Sequence, residues 1–263
     1  MSVSFQSDLA WSTPTAIFVK GKNLSDLIGS IDLGEMLFLL LTGRTPGTAE
    51  GKMTNAVLVS LVEHGVTPSA IAARLTYLGA PESLQAAVAS GLLGVGSHFV
   101  GSVEQVARIL QEGMAKAGEQ VPRGGASVEA ECYRPVAEEI VTGFRARKTP
   151  IPGIGHPIHH PEDPRTERLF ALAKDLELSG PHVALQCAIR TAANDAYGKH
   201  FPINVTGAIG AIVSDMGFPW QIARGFPVIS RCVGLVAHIR EEIEHPFARS
   251  LWENTERRTM RPG

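Results

Sequence analysis

The helical spacing of apolar residues is the feature that most constrains how this chain folds. Apolar side chains recur at the spacing of one helix face at Met53, Val57, Leu58, Leu61 and Val62. Similar spacing predicts helices at 102–117, from 164 onward, and at 181–197, 205–216 and 225–245. Ser102 to Gln105 has the pattern of a capping box, and Asp163-Pro164 that of a helix start. Strand-like alternation is scarce, so the sequence predicts an all-α fold.

Composition limits the functions that the chain can have. Its 263 residues, of 28.1 kDa, suffice for one large domain or two small ones. Lys plus Arg is 24 and Asp plus Glu is 26, so the formal net charge is -2. This balance argues against a nucleic-acid coat or a polybasic membrane anchor, and it favours small-molecule partners. Charged residues make up only 19%, below the usual quarter, which indicates an oligomer.

The spacing of the cysteines and the lack of long apolar runs indicate where in the cell the protein is expected. The three cysteines, Cys132, Cys187 and Cys232, form no C-x-x-C pair, so neither a disulfide framework nor a zinc knuckle is predicted. Residues 1–11 lack the pattern of a signal peptide. The longest aliphatic run, at 36–41, is far shorter than the roughly 20 residues of a membrane span. We therefore expect a soluble cytoplasmic protein with no membrane partner.

A long loop rich in proline and glycine holds residues suited to ligand binding. Thr149 to Pro164 contains five prolines and two glycines, and loops of this length are usually functional. His156 lies between Gly155 and Pro157, so its ring has little freedom and can be aimed at a ligand oxygen. Arg165 falls in the first turn of the next predicted helix, where it can bind a carboxylate through two hydrogen bonds.

Other interpretations of these histidines stay open from the residues alone. The loop could be a rigid surface turn with solvated rings. His156, His159 and His160 could also hold a metal ion, although no thiol or set of carboxylates lies nearby in the sequence. His238 and His245 lie seven residues apart with Glu241 and Glu242 between them, and there a solvated acidic helix end is favoured over a metal site.

Four motifs, in order along the chain, resemble the citrate synthase superfamily. They are Gly153-Ile154-Gly155-His156-Pro157 followed by Asp163-Pro164-Arg165, then Pro202 to Gly207, then Ser230 to Gly234 with Ala237-His238, and last Arg261-Pro262. A second set of residues resembles the citryl-CoA lyase branch, which includes the citryl-CoA-cleaving module of ATP-citrate lyase. The set consists of Glu63-His64-Gly65, Ser69, Ser90 to Leu93, Gly96 and Phe99. Phe99 stands where citrate synthases carry a catalytic histidine, and His98 is its neighbour.

The resemblance implies a fold and a division into domains. Residues 1–100 and 216–263 would form a large helical domain, and residues 101–215 would form a smaller helical domain that carries the glycine loop. The active site would lie in the cleft between the two. The resemblance also implies a homodimer, in which Arg261 completes the site of the neighbouring subunit.

The resemblance further implies roles for single residues. The catalytic residues would be His64, His156 and Thr206. The substrate-binding residues would be His98, Phe99, Arg165, Arg231 and Arg261. Coenzyme A would lie along Lys148, Gly153, Ile154, Gly155 and Pro157. The reaction would make or break a carbon–carbon bond between an acyl-CoA, such as acetyl-CoA, and a 2-oxo acid similar to oxaloacetate. CoA would be a substrate, and neither a permanent cofactor nor a metal is expected.

Thr206 is a departure from the family pattern. The family has an aspartate there that handles a proton of the acetyl methyl group, and threonine is no base at neutral pH without a partner. Asp215 follows nine residues later, so on a straight helix it faces about 180° away. Two alternatives therefore remain: a citrate or methylcitrate synthase, and a non-catalytic homologue that binds CoA or carboxylates.

Overall fold

Helices form most of the regular structure in a computed structural model that describes residues 7–96, 101–118 and 130–261. In these ranges the helices are α1 (Leu24–Leu27), α2 (Leu33–Thr42), α3 (Thr48–Leu61), α4 (Pro68–Gly79), α5 (Leu84–Leu93), α6 (Ser102–Ala117), α7 (Arg134–Arg147), α8 (Pro164–Asp175), α9 (Pro181–Tyr197), α10 (Val205–Asp215), α11 (Trp220–Ala223), α12 (Gly225–Glu244) and α13 (Ala248–Thr259). A 3-10 turn, Ala130–Tyr133, precedes α7. The predicted all-α fold is confirmed.

A small antiparallel sheet near the start of the chain was not predicted. Its strands are β1 (Ala10–Ser12), β2 (Ile17–Val19) and β3 (Lys22–Asn23), in the order β1-β2-β3. Trp11 pairs with Phe18, and their stacked rings lie 5.4 Å apart. Strands of two or three residues are too short to show the alternation by which a strand is recognised in a sequence.

The predicted helix start at Asp163 is confirmed, and the structure shows a second cap beside the site that was not predicted. Asp163 caps α8 and is followed by Pro164, and Asn204 caps α10 by accepting a hydrogen bond from the Gly207 amide. The predicted capping box at Ser102 is wrong. Gly101 is the N-cap of α6, so Ser102 already lies in the first turn, and its hydroxyl instead donates to Thr206 Oγ1 at 2.9 Å.

The main core surrounds α10, which is buried from Val205 to Ser214. α10 packs against α6, α8 and α9, and together these helices form the scaffold behind the glycine loop. A second apolar cluster joins α4, α5 and α12 through Ala73, Ala87, Val88, Leu235 and Ile239. The main apolar core contains residues of both predicted domains, 1–100 with 216–263 and 101–215. The boundary between the two domains therefore stays a prediction.

One helical stretch has the length and composition of a membrane span. Within Trp220–Glu244, a window of 18 residues has a mean hydropathy of 1.3, and half of that window is buried inside the protein. Its buried residues include Arg231, His238 and Glu242, which have charged or polar partners elsewhere in the fold. This pattern is typical of a core helix of a globular fold.

Candidate active site

Backbone pairing brings the glycine loop to the start of α10. Ile154 and Ile203 form an isolated antiparallel bridge, the Gly155 amide donates to Pro202 O at 2.8 Å, and the Asn204 amide donates to Gly153 O at 3.0 Å. The Asn204 side-chain amide also donates to Gly155 O at 2.8 Å. Two motifs that lie about fifty residues apart in the sequence therefore form one rigid wall.

Gly153 is required for this close approach. Its φ is +83°, and a Cβ there would lie 2.8 Å from the Cα of Gly207. Such a contact leaves no room for a side chain, and the φ value itself disfavours other residues. Gly153 was predicted to contact CoA, but it is buried against α10 and lines neither of the two cavities described below. Its role in the structure is packing.

Asp163 joins the loop, α8 and α10. It is fully buried and accepts hydrogen bonds from Arg165 Nε at 3.0 Å, from Arg165 Nη2 at 2.9 Å and from the Val205 amide at 3.0 Å. Burial alone would raise the pKa of Asp163, but the hydrogen bonds and charge of Arg165 hold it below its usual value. Asp163 therefore fixes the Arg165 guanidinium in one position.

The predicted residues meet in one cavity of about 390 Å³, which we call the histidine cavity. Five of the predicted catalytic and substrate-binding residues line it: His64, His156, Arg165, Thr206 and Arg231. The rest of its described lining is Leu61, Val66, Thr67, Pro68, Ser69, Ser102, Gly155, Pro157, Ile158, Asn204 and Val205. These residues come from the turn after α3, from the starts of α4, α6, α8 and α10, from the glycine loop and from α12, so the cavity forms only when the whole chain has folded.

The hydrogen bonds of His156 define which of its ring nitrogens carries the proton. Its Nδ1 accepts from the amides of Ile158, at 3.1 Å, and His159, at 2.9 Å. The proton of the neutral ring must therefore lie on Nε2. That Nε2 is 3.5 Å from Arg165 Nη2, which also carries only hydrogens. Two donors face each other without an acceptor between them, an arrangement that suits a ligand oxygen.

The two site histidines are biased toward the neutral form. Burial is the largest cause of the lowered pKa of His64, and the charges of Arg165, His159 and Arg231 add to it. Burial likewise lowers the pKa of His156, with a further contribution from His159. Neutral imidazoles near pH 7 can take up or donate a proton, which is the property that general acid–base catalysis requires.

Arg231 is a buried cation with spare donors. It is 2% exposed, and its Nε and Nη1 atoms have no hydrogen-bond partner among the described residues. The nearest carboxylate oxygen, Glu63 Oε1, lies 3.5 Å from Nη1. Burial lowers the pKa of Arg231 from its usual value. Because unpaired buried donors are costly, the geometry fits an anionic ligand that would bind these atoms.

Thr206 lies in a chain of hydroxyl and amide groups. It accepts from Ser102 Oγ at 2.9 Å and donates to Asn204 Oδ1 at 2.7 Å. Both partners line the histidine cavity, and no aspartate or glutamate does so among the described residues. The Thr206 hydroxyl is therefore hydrogen-bonded to two uncharged groups, and the described lining of the cavity offers no carboxylate that could activate it. Sequence analysis missed Ser102 as a partner because the two residues are 104 positions apart.

Asp215 does not replace the missing carboxylate. It accepts from the amides of Gly180, His182 and Val183 at 2.8–3.1 Å, and so caps the start of α9. It does not line the histidine cavity. The expectation that Asp215 is a poor substitute agrees with this position.

A cluster of three imidazoles lies at the edge of the histidine cavity. Ligand atoms of His64, His156 and His159 all lie within 4.8 Å of one another. The set differs from the predicted one, because His64 takes the place of His160. Metal binding does not suit it, because His156 Nδ1 already accepts two amides and its Nε2 faces the cation of Arg165.

A second cavity has a volume of about 530 Å³, and we call it the tyrosine cavity. Its lining is Arg145, Lys148, Thr149, Pro150, Ile151, Ile154, Gly155, Ala193, Tyr197 and Phe201. Lys148 and Ile154 were predicted to contact CoA and lie here, whereas Pro157 lines the histidine cavity. Gly155 lines both cavities. Arg145, which the sequence analysis did not single out, lies 5.6 Å from the centre of the Tyr197 ring.

The remaining predicted site residues lie apart from the two cavities or outside the described ranges. His98 and Phe99 belong to the segment 97–100, outside the described residues. Arg261 is exposed after the end of α13 and lines neither cavity. The interpretation of the 238–245 segment as a solvated helix end holds for its outer residues, because Glu241, Glu244 and His245 are exposed, but not for His238 and Glu242, which are buried by their contacts with Arg74.

Comparison with known proteins places these features in a family. The family model described as the C-terminal domain of citrate synthase matches residues 32–262. The ATP-citrate synthase beta chain protein 2 of Arabidopsis thaliana is 24% identical over 84% of this chain, which spans only 36% of that relative's length. The citryl-CoA lyase of Hydrogenobacter thermophilus has a structure with a TM-score of 0.84 and 35% identity, covering 98% of this chain and 94% of that one.

More distant solved structures share the fold. An ATP citrate lyase of Methanosaeta concilii, solved with (3S)-citryl-CoA, has a TM-score of 0.71 at 19% identity, covering 93% of this chain and 39% of that one. The citrate synthase of Thermotoga maritima has a TM-score of 0.64 at 18% identity, covering 89% and 57%. With three of the four family motifs contributing residues to one pair of cavities, and a family match over residues 32–262, the chain belongs to the citrate synthase family.

Proposed function

We propose that the protein makes or breaks the carbon–carbon bond of a citryl-CoA-type thioester, with acetyl-CoA and a 2-oxo acid similar to oxaloacetate as the other reactants. The observation that carries this proposal is the pair of cavities that share Gly155 in their linings. One offers cations and imidazoles, and the other offers apolar walls with two cations at its rim. A thioester that joins a polycarboxylate to a nucleotide carries matching groups at its two ends.

The histidine cavity would hold the carboxylate end of the substrate. Arg231 offers two unpaired N–H donors, and Arg165 with His156 offers two more that converge on one point. Charge-assisted hydrogen bonds from arginine to carboxylate are among the stronger polar contacts in proteins. Low exposure strengthens them further because little water competes. A substrate with two or three carboxylates would satisfy these donors.

The tyrosine cavity would hold coenzyme A. Tyr197 and Phe201 supply aromatic faces for an adenine ring, and Arg145 and Lys148 supply positive charge for phosphates. The thioester end would then reach the histidine cavity past Gly155, where the absence of a side chain lets a ligand approach the backbone closely. The proposal treats CoA as a substrate, which needs no permanently bound cofactor.

Bond cleavage would follow a retro-aldol route. His64, whose ring makes no hydrogen bond to the described residues, would remove the proton from the tertiary hydroxyl group. The bond between the hydroxyl-bearing carbon and the acyl α-carbon would then break. Its electron pair would form the thioester enolate, while the hydroxyl-bearing carbon becomes the ketone of the oxo acid. His156 would donate its Nε2 hydrogen bond to a developing negative charge. A proton returned to the α-carbon completes the acyl-CoA product.

The test is a direct assay of the purified protein. Citryl-CoA should be consumed with matched release of acetyl-CoA and oxaloacetate, and the reverse mixture should show whether condensation also occurs. CoA should raise the melting temperature, because a ligand at 100 times its dissociation constant adds about 2.7 kcal/mol of stability. No turnover in either direction, together with no thermal shift at millimolar CoA, would reject the proposal.

Thr206 favours a second candidate, a homologue that binds CoA or carboxylates without catalysis. The described lining of the histidine cavity holds no carboxyl group that could exchange a proton with the acyl α-carbon. In this case CoA and citrate would still bind and stabilise the protein, but no product would form from citryl-CoA. The same assay and thermal-shift series therefore distinguish the two candidates.

A further inference from the structure

A chain of buried polar contacts extends from the histidine cavity into α4 and α12. Its inner end is Arg74, which is fully buried. Arg74 Nη1 donates to Glu242 Oε2 at 2.9 Å, and its Nη2 also contacts the carboxylate of Glu241. Arg74 Nε and Nη2 lie 3.2 and 2.8 Å from His238 Nδ1. The arginine is thus held between α12 carboxylates and one imidazole.

Arg74 determines the orientation of His238. A guanidinium has only donors, so His238 Nδ1 must accept, and the proton of the neutral ring lies on Nε2. That Nε2 lies 3.0 Å from Glu63 Oε2, although not in full hydrogen-bond geometry. The imidazole therefore presents an N–H to Glu63 and links it to the buried arginine.

Glu63 in turn contacts two site residues. Its Oε1 accepts from the backbone amide of His64 at 2.7 Å and lies 3.5 Å from Arg231 Nη1. Burial would raise the pKa of Glu63, but the His64 amide, His238 and Arg231 together lower it, so the side chain is a carboxylate at neutral pH. At Gly234 a Cβ would collide with the Val62 carbonyl oxygen, so this glycine lets the turn that carries Glu63 lie directly on α12.

We infer that Glu63, oriented by His238 and Arg74, is a positioning residue that holds the His64 backbone and the Arg231 guanidinium in place for a carboxylate ligand. Glu63 does not line the histidine cavity, so it would act through these two neighbours rather than by touching the ligand. The inference rests on the proposed carboxylate site.

A purely structural role explains part of this chain but not its outer end. Arg74 needs partners because an unpaired buried charge is costly, and Glu242 and Glu241 supply them. The Glu63 side chain, in contrast, is 40% exposed, so solvent could satisfy it without His238. Its direction toward His64 and Arg231 is what a positioning role requires and a role in stability does not.

The test uses Glu63→Gln, because glutamine can still accept from the His64 amide while it lacks the charge that faces Arg231. Glu244→Gln is the matched control, since Glu244 lies on the surface of α12 and pairs with Arg240. Citrate and CoA affinities are measured by calorimetry on the full chain. We expect Glu63→Gln to weaken citrate binding roughly ten- to a hundredfold, the scale of a 1 Å misplacement in a site, while CoA binding and the Glu244→Gln protein stay unchanged.

His238→Gln gives a second, independent measurement. It should weaken citrate binding to a similar extent. The double variant with Glu63→Gln should bind citrate no less tightly than the more impaired of the two single variants, because the two residues act in series. Additive losses, or equal losses of CoA and citrate affinity, would overturn the inference.

Crystal structures of the unliganded wild type and of Glu63→Gln separate this inference from the proposed function. Displacement of the Arg231 guanidinium or the His64 backbone by about 1 Å supports positioning even if the wild type binds no citrate. An unmoved site in the variant rejects the positioning role whatever the outcome of the citryl-CoA assay.

Discussion

At the scale of single residues, Arg231 combines deep burial with unpaired donors. It is 2% exposed, and its Nε and Nη1 atoms have no hydrogen-bond partner among the described residues, with Glu63 Oε1 3.5 Å from Nη1. Arg231→Ala should weaken citrate or oxaloacetate binding about a hundredfold, since a charge-assisted contact is lost and the ligand carboxylate is left unpaired. Titration calorimetry checks this value. Arg240→Ala, on the exposed side of α12, is the control, and unchanged affinity in a folded Arg231→Ala protein would remove Arg231 from the site.

Thr206 gives a prediction about the proton transfer. The general bases of enzymes typically contribute 10²–10⁴-fold to the rate, so a site with threonine in the position of a carboxylate should cleave citryl-CoA slowly. Thr206→Asp should raise the rate, by less than the full factor because Asn204 Oδ1 would face the new carboxylate. Initial rates on citryl-CoA are the measurement.

Thr206→Asn separates charge from size in this experiment, because it has the shape of aspartate without its proton chemistry. It should show no gain. A wild type that is already fast, with a slower Thr206→Asp protein, would instead give the threonine hydroxyl a role of its own.

The site histidines make stability depend on pH. The pKa values of His64 and His156 lie below the unfolded value of about 6.5. The unfolded chain therefore binds more protons just below that pH, and stability should be fully present above pH 6.5 and decline as pH falls toward the folded pKa values. Urea unfolding at pH 7.5 and 5.5 measures the loss. His156→Gln should make this loss of stability smaller, while His245→Gln, at an exposed position, should leave it unchanged. An equal loss in the wild type and both variants would contradict the assignment of the pH dependence to the site histidines.

At the scale of secondary structure, the contact between the loop and α10 depends on two glycines. A Cβ at Gly207 would lie 2.5 Å from the Gly153 carbonyl oxygen, a backbone atom that cannot move aside easily. Gly207→Ala should therefore lower the free energy of unfolding by about 1–3 kcal/mol, despite alanine's better helix propensity. Urea unfolding measures it. Gly225→Ala, where a Cβ meets nothing within 4 Å, is the control; equal stability of the two variants would refute the packing argument.

Six of the longer helices, α3, α6, α8, α9, α10 and α12, were predicted from the sequence, whereas α2, α4, α5, α7 and α13, of 10–14 residues, were not. For α10, the apolar run that ends at Gly217 already indicated its burial and its end. α1, α11 and the strands of the sheet are two to four residues long, too short for a periodic signal. The capping box at Ser102 failed because the local pattern does not show which residue is the N-cap.

The site was predictable where motifs are local. His156 and Arg165 lie on one loop and its following helix, so their sequence spacing already indicated a shared role. The Arg74–His238 contact joins residues 164 positions apart, and nothing local distinguishes His238 from a solvated histidine. The partner of Ser102 and the place of Arg145 in the tyrosine cavity were likewise set by tertiary packing alone.

At the scale of the whole molecule, exposed apolar side chains support the proposed homodimer. Leu93 is 89% exposed, and Val233, Val236 and Ile243 share an exposed side of α12. Apolar surface of this kind is usually buried by a partner. Light scattering at micromolar concentration should give twice the 28.1 kDa chain mass or a multiple of it. A stable monomer that still turns over substrate would rule out a site shared between subunits.

Gly155 belongs to both cavities, and its amide and carbonyl are tied to the 202–204 segment. A ligand in one cavity that orders the Gly155 peptide also orders it for a ligand in the other cavity. Occupancy of one cavity should then change the affinity of the other, and by the law of linkage the factor is the same whichever ligand arrives first. The peptide shared by the two cavities would thus couple ligand binding in the histidine cavity to ligand binding in the tyrosine cavity. This heterotropic coupling would let each half of the substrate favour the binding of the other half.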